Sequence, residues 1–314
     1  MKKVLVVTYS QTGQLNAAVK STIQPLLEAD DVELHLEYIA PKKAYPFPWT
    51  FFQFFDVFPE SVYLEPTEMH PVILNGDETF DLVIVAYQVW FLSPAQPIVG
   101  FLKSDVGRAL LKNRPVVTLI ACRNMWLNAH RKMGKLLEEI GANHCDNIVL
   151  TDAGSNLATF ITTPRWLLTG RREAFWGFPA AGVAQKDIDN CRRFGRALSA
   201  ALGQNLEKRG ASLLHGLQAA TVDTGLIASE MAGHRSFLIW GRLLRAVGRP
   251  GQLRRRPILL LYVFFLITLI LTVVPITLVL KKLFQPLFAN KLAQQKKQFE
   301  HPSGSGRSRM EEFS

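Results

Sequence analysis

The residues best suited to chemistry near the start of the chain form a short polar turn made of Ser10, Gln11, Thr12, Gly13 and Gln14. The apolar run before it, residues 4–7, favours a strand buried on both faces. Apolar residues at helical spacing follow it, so a helix is predicted to begin directly after the turn. Hydroxyl groups and free N–H groups at a helix start bind anions, which the helix dipole also favours. The turn is therefore a candidate phosphate site, with a plain helix N-cap as the alternative.

Two further loops directly follow predicted strands. Residues 81–86, which are apolar after Asp81, and residues 115–121, which are apolar apart from Thr118, suit buried strands of a parallel sheet. The loops after them contain Gln88, Val89, Trp90 and Phe91 in one case and Arg123, Asn124, Met125 and Trp126 in the other. In open α/β sheets, ligands bind at the carboxyl ends of strands, near the point where the strand order reverses. The three loops are therefore predicted to meet at one site.

Two of these loops resemble those of a known family. The run YSQTGQ is similar to the phosphate loop of flavodoxin-like proteins, which wraps the FMN phosphate without a lysine. Leu15 stands where that family usually has a hydroxyl, and Asn16 is the residue that can replace this contact. Trp90 and Phe91 resemble the paired aromatic residues of the second flavin loop in flavodoxin-like quinone reductases. The match continues through Ser93, Pro94 and Ala95, while Tyr87, Gln88 and Leu92 depart from the pattern.

The resemblance implies FMN as the cofactor and places it among the three loops. The cofactor-binding residues predicted in this way are Ser10, Gln11, Thr12, Gly13, Gln14, Leu15, Gln88, Val89, Trp90, Phe91, Arg123, Asn124, Met125 and Trp126. In the third loop, Asn124 is expected to bond the polar edge of the flavin and Arg123 to offset negative charge on a reduced flavin. Trp126 either stacks on a ligand or packs at a helix start. No catalytic residue is assigned, and Cys122 is expected to be an inert thiol.

The elements that position these loops predict a flavodoxin-like, doubly wound α/β domain over residues 1–206. Its five parallel strands are expected in the order 2-1-3-4-5, with residues 32–39 as the second strand and residues 147–150 in the fifth. Residues 41–70 interrupt this pattern with many aromatic residues and several prolines. This insertion is either a mini-core that closes over the sheet edge or a lid over an apolar pocket.

Charge and cysteine usage narrow the class of protein. The formal net charge is +10. The basic residues crowd around an apolar segment near the C-terminus, which argues against nucleic acid as a partner. Three widely spaced cysteines and scattered histidines predict reduced thiols in a cytoplasmic domain, with no metal site and no signal peptide. A basic and aromatic patch in residues 151–184 fits an acyl carrier or phosphate-bearing partner, a nicotinamide dinucleotide phosphate, anionic lipid, or simply a solvated loop.

The C-terminal third predicts membrane attachment. Residues 207–256 are expected to form an amphipathic, interfacial helical linker. Residues 257–280 have no charged side chain and are long enough to cross a bilayer, with Pro275 as a possible kink. Arginines before this segment favour a single pass with the domain in the cytoplasm, although Lys281 and Lys282 after it leave a re-entrant arrangement open. Residues 281–314 are expected to be basic and then disordered.

The opening run VLVVTYSQTGQL and the C-terminal apolar segment also resemble dialkylresorcinol condensing enzymes, in which a flavodoxin-like partner of ketosynthases aromatises a ring. This implies a membrane-anchored, FMN-dependent oxidoreductase acting on a hydrophobic ring substrate. Expected partners are that substrate, membrane lipid and a ketosynthase or acyl carrier, with the oligomeric state open. The alternatives are an electron-transfer module for a membrane partner and a scaffold without a cofactor.

Overall fold

A central parallel sheet organises the chain. The computed structural model describes residues 1–272 and 290–314. The sheet contains β1 Lys2–Thr8, β2 Val32–Tyr38, β3 Leu82–Trp90, β5 Pro115–Cys122 and β6 Asn143–Thr151, in the order β2-β1-β3-β5-β6. These five strands are parallel. A two-residue strand, β4 Ser93–Pro94, pairs antiparallel with the end of β3. Counting parallel strands alone, the order is the predicted 2-1-3-4-5, and the fold is a flavodoxin-like doubly wound α/β fold.

Helices cover both faces of the sheet because the central strands are apolar on both sides. On one face lie α1 Gln14–Leu27 and α9 Arg192–Gly203, preceded by the short α8 Gln185–Asp189. A Cβ at Gly195 would lie 2.0 Å from the Thr22 carbonyl oxygen, so a glycine is needed where α9 meets α1. On the other face lie α4 Gln96–Lys103, α5 Asp105–Leu111 and α6 Leu127–Ile140.

The aromatic insertion forms a small second core with the C-terminal helices. It contains α2 Phe51–Asp56 and α3 Phe58–Val62. These pack against α10 Thr224–Val247 and the start of α11 Arg256–Glu300. Phe58, Leu244, Leu259 and Tyr262 are all buried in this second core. The remaining helix, α7 Thr159–Thr169, lies in the loop region after β6.

One helical stretch, Leu253–Thr272, is long and apolar enough to cross a membrane by length and composition alone. The remainder of the predicted span, with Pro275, and the flanking Lys281 and Lys282 lie outside the described residues.

The structure differs from the predicted disorder of the C-terminal tail. After α11 the chain turns back onto the domain, where the Ser303 hydroxyl donates to Asp146 Oδ1 at 2.7 Å and accepts from the Asn147 amide at 2.7 Å. Phe313 is buried in the main core. The tail is polar in composition, and these few long-range contacts hold it in place. The structure also differs from the predicted linker over residues 207–256. Three of its leucines are buried in the core on the α1 face of the sheet, namely Leu213, Leu214 and Leu217.

We expect Ser303→Ala to loosen the tail. The substitution leaves the buried Asn147 amide without its acceptor and removes one of the donors to Asp146, which should lower the free energy of unfolding by about 1–3 kcal/mol. Denaturant unfolding and limited proteolysis of the tail would measure this. Ser308→Ala, at an exposed position of the same tail, is the control and should leave both readouts unchanged. Equal behaviour of the two variants would contradict the docking of the tail.

Candidate functional site

A cavity of about 300 Å³ lies at the carboxyl ends of β1, β3 and β5. The strand order of the sheet reverses at this point, because β1 pairs with β2 on one side and with β3 on the other. The three predicted loops meet here. Of their residues, those that line the cavity are Gln11, Thr12, Gln14, Leu15, Gln88, Val89, Trp90, Phe91, Arg123 and Met125. Ser10, Gly13, Asn124 and Trp126 do not line it.

The first loop presents free backbone donors beside the cavity. Gly13 has φ 81°, a left-handed conformation that suits glycine, and its amide donates to Ser10 Oγ at 3.1 Å. The helix α1 begins at the next residue, and its N-cap makes no side-chain hydrogen bond. The first-turn amides of α1, at Gln14, Leu15 and Asn16, have no helical acceptor before them. The turn is therefore arranged to receive an anion.

The glutamines of the first loop are held by other segments. The Gln11 side chain donates to the Pro46 carbonyl at 2.7 Å and accepts from Trp49 Nε1 at 3.1 Å. Gln14 bonds both the amide and the carbonyl of Val183, at 2.9 and 3.1 Å. These bonds tie the first loop to the aromatic insertion on one side and to the segment after α7 on the other. The Thr12 side chain is the polar group of this loop that remains available to a ligand.

The second loop is less open than expected because β3 continues to Trp90 and β4 pairs back on it. Trp90 lies edge-on to Tyr45 and Trp49, with ring centroids 4.8 and 5.7 Å away. Phe91 has φ 47°, an uncommon conformation for a bulky residue. Its ring contacts Phe54 of the insertion at 5.2 Å and Phe237 of α10 at 5.9 Å. The aromatic pair is therefore a fixed wall of the cavity.

In the third loop, the structure separates the predicted roles. Arg123 lines the cavity with its guanidinium 4.2 Å above the Phe160 ring, and burial lowers its pKa to about 10. Asn124 instead bonds Asn156, away from the cavity. Trp126 is buried at the start of α6 against His130, which is the packing alternative. Burial raises the pKa of the Cys122 thiol well above its usual range, so it remains protonated.

Several lining residues were not among the predicted site residues. They are Trp49, Phe54, Val57, Leu92, Ala121, Cys122, Asp152, Thr163, Pro164, Trp166, Leu167, Gly182 and Phe237. The aromatic content of the insertion did signal Trp49 and Phe54 as a possible pocket wall. Trp166 belongs to the basic and aromatic patch. Two arginines of this patch have partners within it: Arg172 donates to the carbonyls of Ala181 and Val183, and Arg165 pairs with Glu173. Nothing in the sequence pointed to Phe237.

The cavity offers little acid–base chemistry of its own. Its one lining carboxylate, Asp152, accepts from the amides of Gly154 and Gly182 at 2.8 and 2.5 Å. Within the described parts of the chain, no cluster of His, Cys, Asp and Glu side chains could hold a metal ion. The arrangement is an apolar, aromatic cavity with an anion site at one edge. Such a site suits a ligand that combines an apolar ring with an anionic group.

No protein-family model and no curated protein sequence matches the chain. Among solved structures, it is similar to a flavoprotein in complex with FMN from Lactobacillus acidophilus NCFM, with 17% identity, 48% of this chain and 93% of that chain covered, and a TM-score of 0.38. A flavodoxin from the domain Archaea has 12% identity, coverage of 65% and 99%, and a TM-score of 0.34. A WrbA-like flavodoxin from Agrobacterium tumefaciens has 8% identity, the same coverage and a TM-score of 0.36. These TM-scores are low, so the fold class rests on the strand order of the sheet.

We expect Gly182→Ala to disturb the cavity wall. Gly182 has φ +93°, and an added Cβ would lie 2.5 Å from Gln14 Oε1 and 3.0 Å from Trp166. The variant should lose more stability than Gly177→Ala, since Gly177 has a similar φ of +83° but nothing within 4 Å of an added Cβ. Comparing the two variants by denaturant unfolding separates the steric effect from backbone strain. Equal losses would show that Gly182 does not support the Gln14 and Trp166 contacts.

Proposed function

We propose that the protein is an FMN-dependent oxidoreductase that acts on a hydrophobic ring substrate at a membrane. The single observation that carries this proposal is the anion site at the start of α1, which opens into an aromatic cavity at the strand reversal. FMN combines a phosphate with an apolar, planar ring system, so its two parts match the two parts of the site. The fold class is also one in which FMN binds at this position.

The residues present fit FMN in named roles. Thr12 and the first amides of α1 would hold the phosphate, since free N–H groups and the helix dipole favour an anion there. Trp90, Phe91 and Met125 would border the ring and exclude water from it. Arg123, which lines the cavity, would offset negative charge on the reduced cofactor. When bound, FMN would supply the hydride chemistry that the side chains lining the cavity lack.

A hydrophobic substrate is favoured by the aromatic end of the cavity. Phe54, Phe91 and Phe237 line it from three different elements. Phe91 also contacts Phe58, which stacks on Tyr262 of α11 at a centroid distance of 4.4 Å. Aromatic side chains therefore continue without interruption from the cavity to the helix that is apolar enough to enter a membrane. A lipid-soluble ring would meet an aromatic lining at the end of the cavity that lies nearest this helix.

The narrower proposal is aromatisation of a ring in dialkylresorcinol or aryl-lipid biosynthesis, with a ketosynthase or acyl carrier as partner. It is supported by the resemblance of the opening run and by the apolar cavity. We place the domain in the cytoplasm, attached to the membrane through its C-terminal third. An electron-transfer module is the second candidate, but such a module favours an exposed flavin edge and an acidic rim. The net charge of +10 and the covering insertion favour the oxidoreductase.

We expect the purified full-length protein to bind FMN and show flavin absorbance. Thr12→Glu should weaken FMN binding about tenfold or more, because a carboxylate beside the phosphate is repelled at roughly 1.4 kcal/mol or above. Thr12→Gln has a similar size without the charge and should lose much less. Riboflavin has no phosphate, so the two variants should bind it alike in a fluorescence titration. A wild-type protein without FMN affinity would favour the cofactor-free scaffold.

The substrate class can be tested with the reduced holoprotein. Reoxidation by a quinone, which takes up two electrons and two protons, should be faster for an alkyl-tailed quinone than for a short, water-soluble one. Phe237→Asp should slow the tailed quinone about tenfold and leave the short one nearly unchanged, because the charge opposes an apolar tail. Ile73→Asp, which places the same charge at a strongly exposed isoleucine outside the cavity, is the control. Equal loss for both quinones would argue against an apolar substrate path.

A further inference from the structure

We propose that the protein is monotopic: the two described flanks of the apolar segment, up to Thr272 and from Asn290 onwards, are held by the α/β domain on the same side of a bilayer. The inference rests on the proposed function only in taking a membrane as the surroundings. It favours the re-entrant alternative over the single pass. The observations behind it are the contacts that dock the two described flanks of the segment on the domain.

The entry flank is fixed by a fully buried arginine. Arg255 is 0% exposed, and its guanidinium bonds Glu60 through two nitrogens at 3.2 Å each. Its Nε also lies 3.0 Å from Asp56 Oδ1, so the aromatic insertion supplies both carboxylates. Two turns further along α11, Tyr262 is buried against Phe58 and Trp240. A buried bidentate pair of this kind holds the start of α11 firmly on the domain.

The exit flank is docked on the same domain. Leu292 and Phe299 of α11 pack against the core that covers the α6 face of the sheet. The His301 carbonyl lies 3.1 Å from His130 Nε2, and Glu300 accepts from the Val222 amide at 3.3 Å. The tail then continues along residues 216–220 through backbone hydrogen bonds and ends with Phe313 in the main core. These contacts, several of them buried, dock the tail on the α/β domain.

A single pass through the membrane would separate the two flanks. A bilayer with its headgroups is about 40–45 Å thick, and its two surfaces face different compartments. Yet Tyr262 contacts Phe237 of α10, while Glu300 contacts Val222 just before α10 begins. Along α10 these points are about 20 Å apart, less than the thickness of a bilayer with its headgroups. Both described flanks therefore lie on the same side of a bilayer.

The outward side of the entry limb has the chemistry of a lipid contact. Leu260, Phe264, Ile267 and Leu271 recur at helical spacing and are each more than half exposed. On the neighbouring α10, exposed Ile239 and Leu243 alternate with the exposed Arg235 and Arg242. An apolar stripe flanked by arginines matches acyl chains below a layer of phosphate groups.

Sided labelling tests the topology with the full-length chain. Cysteines introduced by Lys20→Cys in the domain and Glu311→Cys in the tail are treated with a membrane-impermeant maleimide, in sealed inverted vesicles and in intact spheroplasts of a bacterial host. Both positions are exposed. We expect both variants to be labelled in the same preparation and protected in the other. The unmodified protein, whose Cys145 and Cys191 are buried, gives the background. Labelling of the two cysteines from opposite sides would overturn the proposal.

Flotation with anionic phospholipid vesicles tests the occupant of the apolar stripe. The purified protein should float with the vesicles, and Leu260→Lys with Phe264→Lys should reduce the floated fraction severalfold. Ile73→Lys, which also removes a strongly exposed isoleucine, is the control and should float normally. A protein that stays soluble as a dimer and loses the dimer in the double variant would show a second copy on the stripe and overturn the proposal. Flavin absorbance of the same samples reports on the proposed function separately.

Discussion

The contact between Phe58 and Tyr262 is the one on which most of the unusual features of this protein depend. Both rings are fully buried and stacked at 4.4 Å, and they join the aromatic insertion to the C-terminal helix. Phe91 and Phe237 extend the same cluster to the cavity. An aromatic contact of this kind contributes about 0.5–1.5 kcal/mol beyond the burial of its surface. The contact therefore couples the shape of the cavity to the position of the apolar helix.

The α/β core is ordinary for its class, and the insertion is what adapts it. In the sheet, apolar strands are covered on both faces and leave the loops at their carboxyl ends free to bind a ligand. The insertion then closes this edge with Trp49 and Phe54 and pins Gln11 through its side chain. A site that is partly covered in this way suits chemistry on an apolar molecule shielded from water. The same covering makes it less suited to a docking surface for electron transfer.

Much of the fold and part of the site could be predicted from local patterns. The strand order is confirmed. Residues 4–7, 82–86 and 115–121 are apolar apart from Thr118, which is typical of buried parallel strands. The loops that follow these three strands were predicted to meet, and most of their residues line the cavity. Asn124 could not be placed in this way, since its direction depends on Asn156, which lies far from it in the chain. For Trp126, the structure selects the packing alternative at the start of α6.

The sequence by itself determined the parallel sheet, the polar turn before α1 and the presence of an apolar C-terminal segment. Each of these depends on a run or a regular spacing of apolar residues that are neighbours in the chain. Only the tertiary structure decided that Phe237 and Trp166 complete the cavity and that Ser303 and Phe313 return the tail to the core. These contacts join residues far apart in the chain, and no local pattern records them. The physical reason is that burial depends on the packing of the whole molecule. Asp146 and Arg255 are buried, and their partners Ser303 and Asp56 lie far from them in the chain.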